Sequence, residues 1–484
     1  MWMPKCTRDD RKGVVSPIPT QIVSNEEFFP LPQTPQQKRV EARVAELADS
    51  FGRLLGLSRR QFLATAGGMA AAFLAMNEVF GPYFDVSAAE ALDPALREEK
   101  WPKDQFIFDI QTHHVDVPRG RGKSVLAFRQ QAERYNPDMK KLRPHKHEDL
   151  ALENYIKEIF FDSDTVMGVI SGIPQRPHQN ILPVERMVET KNKVNALAGS
   201  QRLLSHGLVA PNLKEYNLDD MQRQKEDLKI DAWKMYTGLY FGKDEAGPWW
   251  LDDEKVAYPM FEKSKKLGVK NVCVHKGLPL FGFNEEHCHP RDVKKAAADF
   301  PELNFVIYHS GFRSLTEVGE ADAKKLLEDK HVEWVTELCE IRKANPKLTN
   351  VYMELGSTFG HAVIVHPLLC GHILGQILDA FGPDHVVWGT DSIWWGSPQW
   401  QIEALRRFQI PKELQDKFGY QPLTREIKDK IFGLNAAKLY GIDVAAQRKA
   451  IPADYLTRLK MAYQAHGPDP ALAAYGWVLR EGGS

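Results

Sequence analysis

Eight short apolar runs alternate with longer segments of helical composition after residue 100. The runs cover residues 106–110, 165–170, 203–209, 231–236, 269–274, 304–308, 350–355 and 385–388. Most are continuously apolar, as expected of parallel strands that are buried on both faces. Eight strand–helix units predict an α/β fold, a single (β/α)8 TIM barrel, more readily than an open doubly wound sheet.

The spacing of these units sets the expected domain limits. The barrel is predicted to span residues 105–442, and its last helix is expected over 425–442. A long insertion rich in Arg, Lys and His follows the first strand, over about 116–154, and is expected to cover the barrel mouth. The remainder, 443–484, is predicted to be a helical tail.

The first 91 residues resemble a polar lead followed by an export signal. Residues 1–57 are polar and weakly patterned, so we expect a disordered lead. A twin-arginine signal is predicted over 58–91, from Arg59-Arg60, the uncharged apolar run that follows and the Ala89-Glu90-Ala91 end. Export by the twin-arginine translocase would place a mature chain, beginning near Leu92, in the periplasm. The alternative is a buried helix that happens to follow an arginine pair, and the long lead counts in its favour.

Charge and cysteine content exclude several classes of partner and site. The 63 basic and 64 acidic side chains almost cancel, so nothing favours a nucleic acid as partner. The five cysteines form no CxxC pair, which argues against a thiolate metal site. We therefore expect a small-molecule substrate, and leave open whether the chain forms a homo-oligomer.

Polar residues stand where four of the predicted strands end. Gln111 and His113 follow the first strand, His275 the fifth, His309 the sixth and Asp391 the eighth. Working residues of such barrels lie at these strand ends. Singly, each histidine is more often a core residue and the aspartate a helix cap. Together they predict a metal site, because imidazoles and a carboxylate suit a divalent cation such as zinc.

Zinc chemistry gives these residues roles. One divalent metal, expected to be zinc, would be held by Gln111, His113, His275 and Asp391. Such an ion lowers the pKa of a bound water. Asp391 is the expected acceptor of that water's proton, and His309 is expected to stabilise the oxyanion or protonate the leaving group.

The order of these residues resembles the amidohydrolase superfamily, in the branch that includes aminocarboxymuconate-semialdehyde decarboxylase. The first motif of that family, Asp-x-His-x-His, falls on Asp109, Gln111 and His113. The segments 387–392 and 431–440 are very similar to the family's eighth strand and late helix. The resemblance covers roughly 105–442 and implies a metal-dependent barrel enzyme. The departure is Gln111, because a neutral amide replaces the first histidine of the motif.

Four further residues are candidates for substrate binding. Trp394 and Trp395 follow Asp391 and would wall a flat substrate or simply pack the loop. Arg119, in the first loop, would clamp a carboxylate or remain solvated. Glu354 ends the seventh strand and would orient substrate or form a structural salt bridge.

Three functions are compatible with this site. The first is hydrolysis of a C–N or C–O bond in an amide, lactone or ester, which the predicted export favours. The second is non-oxidative decarboxylation of an aromatic or unsaturated acid. The third is a non-catalytic binding protein with a decayed site, suggested by Gln111.

Overall fold

A parallel eight-stranded sheet forms the centre of the computed structural model, which describes most of the chain. The described residues are 2–13, 15–116, 133–134, 137, 140, 147–176, 180–239, 247–313, 320–467 and 476–480. The expected insertion over 116–154, with Arg119, lies mostly outside them.

The sheet strands occur in sequence order, and each pairs in parallel with the next. We label them β1–β8: Phe108–Thr112, Met167–Ile170, Leu203–Val209, Ala232–Tyr236, Asn271–His275, Asn304–Tyr308, Val351–Glu354 and Val386–Val387. The barrel closes between its ends, because the amide of Ile110 donates to the carbonyl of Trp388 at 3.0 Å. The amide of Asp391 likewise donates to the carbonyl of Gln111 at 2.9 Å. The predicted (β/α)8 fold is confirmed.

Helices cover the outer face of the barrel between the strands. They are Leu152–Ile156, Val184–Ala198, Leu218–Glu226, Tyr258–Lys266, Glu285–Cys288, Val293–Asp299, Glu320–Asp329, Val335–Ala344, Thr358–Val365, Pro367–Phe381, Gln399–Arg407, Lys412–Phe418, Arg425–Asp429 and Asn435–Tyr440. Their ends follow local chemistry: Gly199, for example, terminates Val184–Ala198 in a left-handed conformation that glycine adopts without strain. Gly433 lets the last barrel helix approach β1, because a Cβ there would lie 2.0 Å from the carbonyl oxygen of Phe106.

The C-terminal tail is helical over Val444–Ala450 and Tyr455–Ala465, in line with the sequence. Beyond these helices it ends in a short strand, Trp477–Leu479. That strand pairs antiparallel with Trp2–Pro4, so the two ends of the chain meet.

The N-terminal lead, expected to be disordered, is folded in the structure. Within residues 1–57 it has the helices Lys5–Lys12 and Pro35–Leu54, and the helices Arg59–Leu63, Ala66–Phe80, Ala88–Leu92 and Pro94–Lys100 follow it. Thr34 begins the second of these with a capping box formed with Gln37. Weak patterning of the sequence hid this order, because the segment gains its apolar contacts from the rest of the fold rather than from its own periodicity.

The apolar run after the arginine pair forms the helix Ala66–Phe80, which is buried on most sides. Ala70, Ala71 and Ala72 are fully buried, and Phe73 packs on Phe84. This packing corresponds to the buried helix considered as the alternative to a signal. Among the described residues, no helix has both the length and the apolar character needed to cross a membrane.

Candidate active site

A cavity of about 460 Å³ opens at the carboxyl ends of the strands. It brings together all five residues that the sequence predicted as metal ligands or catalytic groups: Gln111, His113, His275, His309 and Asp391. Parallel strands in a barrel deliver their C-terminal residues to one rim, which explains why positions 280 residues apart in sequence converge.

His113 lies between a backbone carbonyl and a carboxylate. Its Nδ1 atom lies 2.7 Å from the carbonyl oxygen of Ser171, so Nδ1 carries a proton and donates it. The Nε2 atom faces Oδ1 of Asp391 at 2.9 Å. This ring nitrogen and this carboxylate oxygen therefore meet at the cavity in a buried position.

His275 and His309 repeat this arrangement. Nδ1 of His309 lies 2.8 Å from the carbonyl oxygen of Gly356, and Nε2 of His275 lies 3.2 Å from that of Leu278. The remaining nitrogens, Nε2 of His309 and Nδ1 of His275, are 3.0 Å apart. Burial lowers the pKa of His309 to about 4 and that of His275 well below its usual value, so neither ring is charged at neutral pH.

These pairs fit a divalent cation. Among the described residues, no three His, Cys, Asp or Glu side chains converge as a complete coordination group. The donors nevertheless show the pattern of metal ligands, since each imidazole gives its outer N–H to a carbonyl and directs a lone pair inward. Facing lone pairs repel unless a cation or a proton lies between them, and three imidazoles with a carboxylate match the preferences of zinc.

Asp391 is held in place by three side chains. Gln111 Nε2 donates to Oδ1 at 2.9 Å, and Ser357 Oγ donates to Oδ2 at 2.5 Å. Trp395 Nε1 in turn donates to Ser357 Oγ at 2.8 Å. Asp391 has a positive φ of 62°, a conformation that is uncommon outside glycine and is concentrated at functional sites.

Gln111 presents its amide oxygen to the site. Oε1 is buried and has no hydrogen-bond partner among the described residues. It fits closely beside Gly356, where a Cβ would lie 2.1 Å away. A buried unpaired acceptor is costly, so this oxygen is available to a cation or a donor group.

Glu354 contacts the backbone of the site residues and does not line the cavity. One carboxyl oxygen accepts from the amide of His309 at 3.0 Å and the other from the amide of Gly356 at 2.7 Å. Burial raises the pKa of Glu354 to about 8. Its place explains Gly389, where a Cβ would collide with the Glu354 carboxyl. The substrate-orienting role considered for Glu354 is not what this geometry provides; the residue positions the His309 loop.

Of the other candidate residues, some line the cavity and others do not. Trp394 and Trp395 both line the cavity, as expected of a substrate wall. His114, the neighbour of His113 in the chain, does not line the cavity, and its Nε2 atom lies 2.8 Å from Thr190 Oγ1. Arg119 falls outside the described residues.

Sequence reasoning missed several residues that line the cavity. Tyr236 ends β4, and Ser357 and His361 follow β7. The rule that strand ends carry function would have found these three. Glu27 and Phe28 also line the cavity, and they come from the N-terminal lead, where no local pattern marks a site.

A model of one known protein family matches part of the chain. The family model described as amidohydrolase matches residues 218–442, which include β4 to β8 and their strand-end residues. No curated protein matches the chain. Residues 218–442 are thus similar to the amidohydrolase family.

Solved structures with the same kind of barrel share little sequence with this chain. An uncharacterised TIM-barrel protein from Bordetella bronchiseptica is 16% identical over 71% of this chain and 99% of its own, with a TM-score of 0.45. A probable 2-pyrone-4,6-dicarboxylic acid hydrolase from Acinetobacter baumannii is 13% identical (69% and 99%; TM-score 0.41). A dihydroxybenzoic acid decarboxylase from Polaromonas with bound manganese is also 13% identical (71% and 99%; TM-score 0.38).

Proposed function

We propose that the protein is a metal-dependent hydrolase of the amidohydrolase type that cleaves a C–N or C–O bond in a small molecule. The observation that carries this proposal is the convergence of donor atoms: Nε2 of His309 lies 3.0 Å from Nδ1 of His275, and Nε2 of His113 lies 2.9 Å from Oδ1 of Asp391. A divalent cation would stabilise such buried imidazole and carboxylate donors. The amidohydrolase family match over 218–442 supports the same assignment.

His113, His275 and Asp391 would hold the ion, with Gln111 Oε1 as a fourth donor. A divalent metal, zinc in this proposal, supplies an activated water and polarises the bond under attack. Asp391 is suited to receive a proton at its Oδ atoms, which lie at the cavity wall beside His113. Ser357 and Gln111 orient this carboxylate through their hydrogen bonds.

His309 would act as a proton carrier. Its Nδ1–H is directed at Gly356, so Nε2 accepts in the neutral ring and donates only after taking up a proton. A protonated His309 could then stabilise an oxyanion or protonate the leaving group. Glu354 supports this role by accepting the backbone amide of His309.

Decarboxylation of an aromatic or unsaturated acid is the second candidate. It is favoured by the flat side chains around the cavity, which include Tyr236, Phe283 and Trp394. Such walls suit a planar unsaturated substrate. The same residues would serve, with a proton delivered to carbon in place of water attack.

Metal-loaded protein assayed against lactones, amides, esters and hydroxybenzoates separates the two reactions. Hydrolysis in ¹⁸O-labelled water places the label in the product. Release of carbon dioxide, with only a solvent proton incorporated, would replace the hydrolase proposal with the decarboxylase. Turnover in neither assay, from a protein that binds metal, would favour the non-catalytic alternative.

Transport through the twin-arginine translocase to the periplasm is a separate part of the proposal. It rests on Arg59-Arg60 and the apolar run that follows them, and it does not require that residues before Leu92 are removed after transport. Replacement of both arginines by lysine should leave the protein in the cytoplasm. Unchanged export in cells that lack the translocase would contradict it.

A further inference from the structure

The N-terminal segment, residues 15–33, crosses the mouth of the barrel and forms part of the cavity wall. Glu27 and Phe28 line the same cavity as the strand-end residues. The carbonyl oxygen of Glu27 accepts from the amide of Phe281 at 2.8 Å, which ties the segment to the loop after β5. The ring of Phe28 lies 5.8 Å from that of Trp395 and 6.4 Å from that of His361.

The same segment covers a second cavity of about 300 Å³ beside the first. Pro19, Gln21 and Val23 line it on the N-terminal side. Among the described residues, the two cavities share three lining residues: Ser357, His361 and Trp395. Without residues 15–33, both cavities would lose a wall and open to solvent.

The part of the chain that follows this segment is anchored to the barrel by buried polar contacts. Gln37 Nε2 donates to the carbonyl oxygen of Ile364 at 2.8 Å. Glu90, at the centre of the expected Ala-x-Ala cleavage site, is 2% exposed and pairs with Arg407 of the helix after β8 at 2.9 Å. Removal of residues before Leu92 would take away this partner, and losing one member of a buried pair is strongly destabilising.

Two polar side chains at this wall are left unsatisfied by the protein. Oε2 of Glu27 accepts from Asn25 Nδ2 at 2.6 Å, whereas Oε1 has no hydrogen-bond partner among the described residues. Both ring nitrogens of His361 are buried and unpartnered in that same part of the chain. Buried polar groups normally have partners, so the two His361 nitrogens indicate contacts that a ligand supplies, and Glu27 Oε1 lies in the wall of the same cavity.

We propose that the N-terminal segment is a permanent wall of the active cavity. We further propose that Glu27 accepts a hydrogen bond from a hydroxyl or amino group of the substrate. The claim about Glu27 rests on the proposed function; the claim about the segment does not. The cleavage expected near Leu92 does not occur in the working protein.

The intact mass of the protein isolated from its native compartment tests the segment directly. We expect a chain that retains residues 15–100. A mass corresponding to a start near Leu92 would overturn the proposal. A second form of the test places a site-specific protease sequence at the exposed turn Leu55-Gly56. After cleavage the two fragments should co-elute, whereas their separation without a fall in the Tm of the larger one would contradict the proposal.

Two adjacent glutamates provide a matched pair for the second claim. Glu26 accepts from the buried Trp477 Nε1 at 2.9 Å, so it is a structural residue. Glu26→Ala should lower the Tm, because the indole N–H loses its partner. Glu27→Ala should keep or raise the Tm, since it removes a carboxyl that the fold does not fully satisfy. An equal fall in Tm for both variants would show that Glu27 is structural and would overturn the claim.

Activity adds an independent readout for Glu27. With any substrate that the wild-type protein converts, Glu27→Ala should lower kcat/KM roughly two- to tenfold, the range expected for a hydrogen bond between neutral groups. Unchanged kcat/KM would also overturn the claim. If the wild-type protein converts no substrate, the proposed function fails, while the mass, co-elution and Tm results still decide the role of the segment.

Discussion

The Nε2 atom of His309 lies 3.0 Å from the Nδ1 atom of His275, and the other nitrogen of each ring is directed at a backbone carbonyl. Burial keeps both rings neutral, so two lone pairs face each other. Nε2 of His113 lies 2.9 Å from Oδ1 of Asp391. The fold therefore holds four donors close together at the rim of the barrel, an arrangement that a cation would stabilise.

Trp395 is expected to act on Asp391 through Ser357. Trp395→Phe keeps a flat apolar wall but removes the indole N–H that fixes Ser357. We expect kcat to fall severalfold with little change in KM, because the carboxylate is oriented less well. Trp400→Phe is the matched control, since the indole nitrogen of Trp400 has no hydrogen-bond partner among the described residues. Equal effects in both variants would contradict the proposed chain of hydrogen bonds.

Glu354 should matter for both stability and activity. Glu354→Ala leaves the amides of His309 and Gly356 without acceptors, at a cost of about 1–3 kcal/mol for each buried donor. Urea unfolding measures the loss, and kcat should fall because the His309 loop is no longer fixed. Glu46→Ala is the control, since this side chain is exposed and its ion pair with Arg43 contributes little. Stability equal to wild type would remove Glu354 from the account.

His372 gives a pH dependence that is separate from the metal site. It is buried beside Tyr420, and burial lowers its pKa to about 4. Between pH 6.5 and 4 the unfolded chain binds a proton that the folded chain does not, so the free energy of unfolding falls as the pH falls. The loss is roughly 3 kcal/mol at most, at about 1.4 kcal/mol per pKa unit. His372→Gln should flatten this part of the profile; an unchanged slope would be evidence against it.

Two substitutions of Asp391 test its strained backbone conformation and its role as a proton acceptor. Asn tolerates its φ of 62° better than Ala does, so Asp391→Asn should fold nearly as stably as wild type, whereas Asp391→Ala should lose about 1 kcal/mol or more. Both should lose activity, because neither carries a carboxylate. Substantial turnover by Asp391→Asn would exclude Asp391 as the proton acceptor.

The sequence predicted the parts of the site that follow from topology. The run 304–308 is the strand Asn304–Tyr308 itself, and the residue after it, His309, lies at the barrel mouth because every parallel strand ends there. The direction in which each strand-end side chain faces was harder to predict. Glu354 also ends a strand, yet it faces the backbone of His309 and not the cavity. Glu27 was out of reach, because only the path of the chain across the barrel brings it to the site. The lead seemed disordered for the same reason, since its order depends on distant contacts such as Trp2–Pro4 with Trp477–Leu479.

Metal content tests the central claim most directly. Protein purified without chelator, from medium that contains zinc and manganese, should hold about one divalent ion per chain by elemental analysis, the stoichiometry of a single catalytic site. His275→Ala should lose that ion, whereas His385→Ala should retain it, because His385 is a half-buried residue outside the cavity whose Nε2 atom lies 3.0 Å from the carbonyl oxygen of Thr349. Wild-type protein without stoichiometric metal, or full metal content in His275→Ala, would contradict the account.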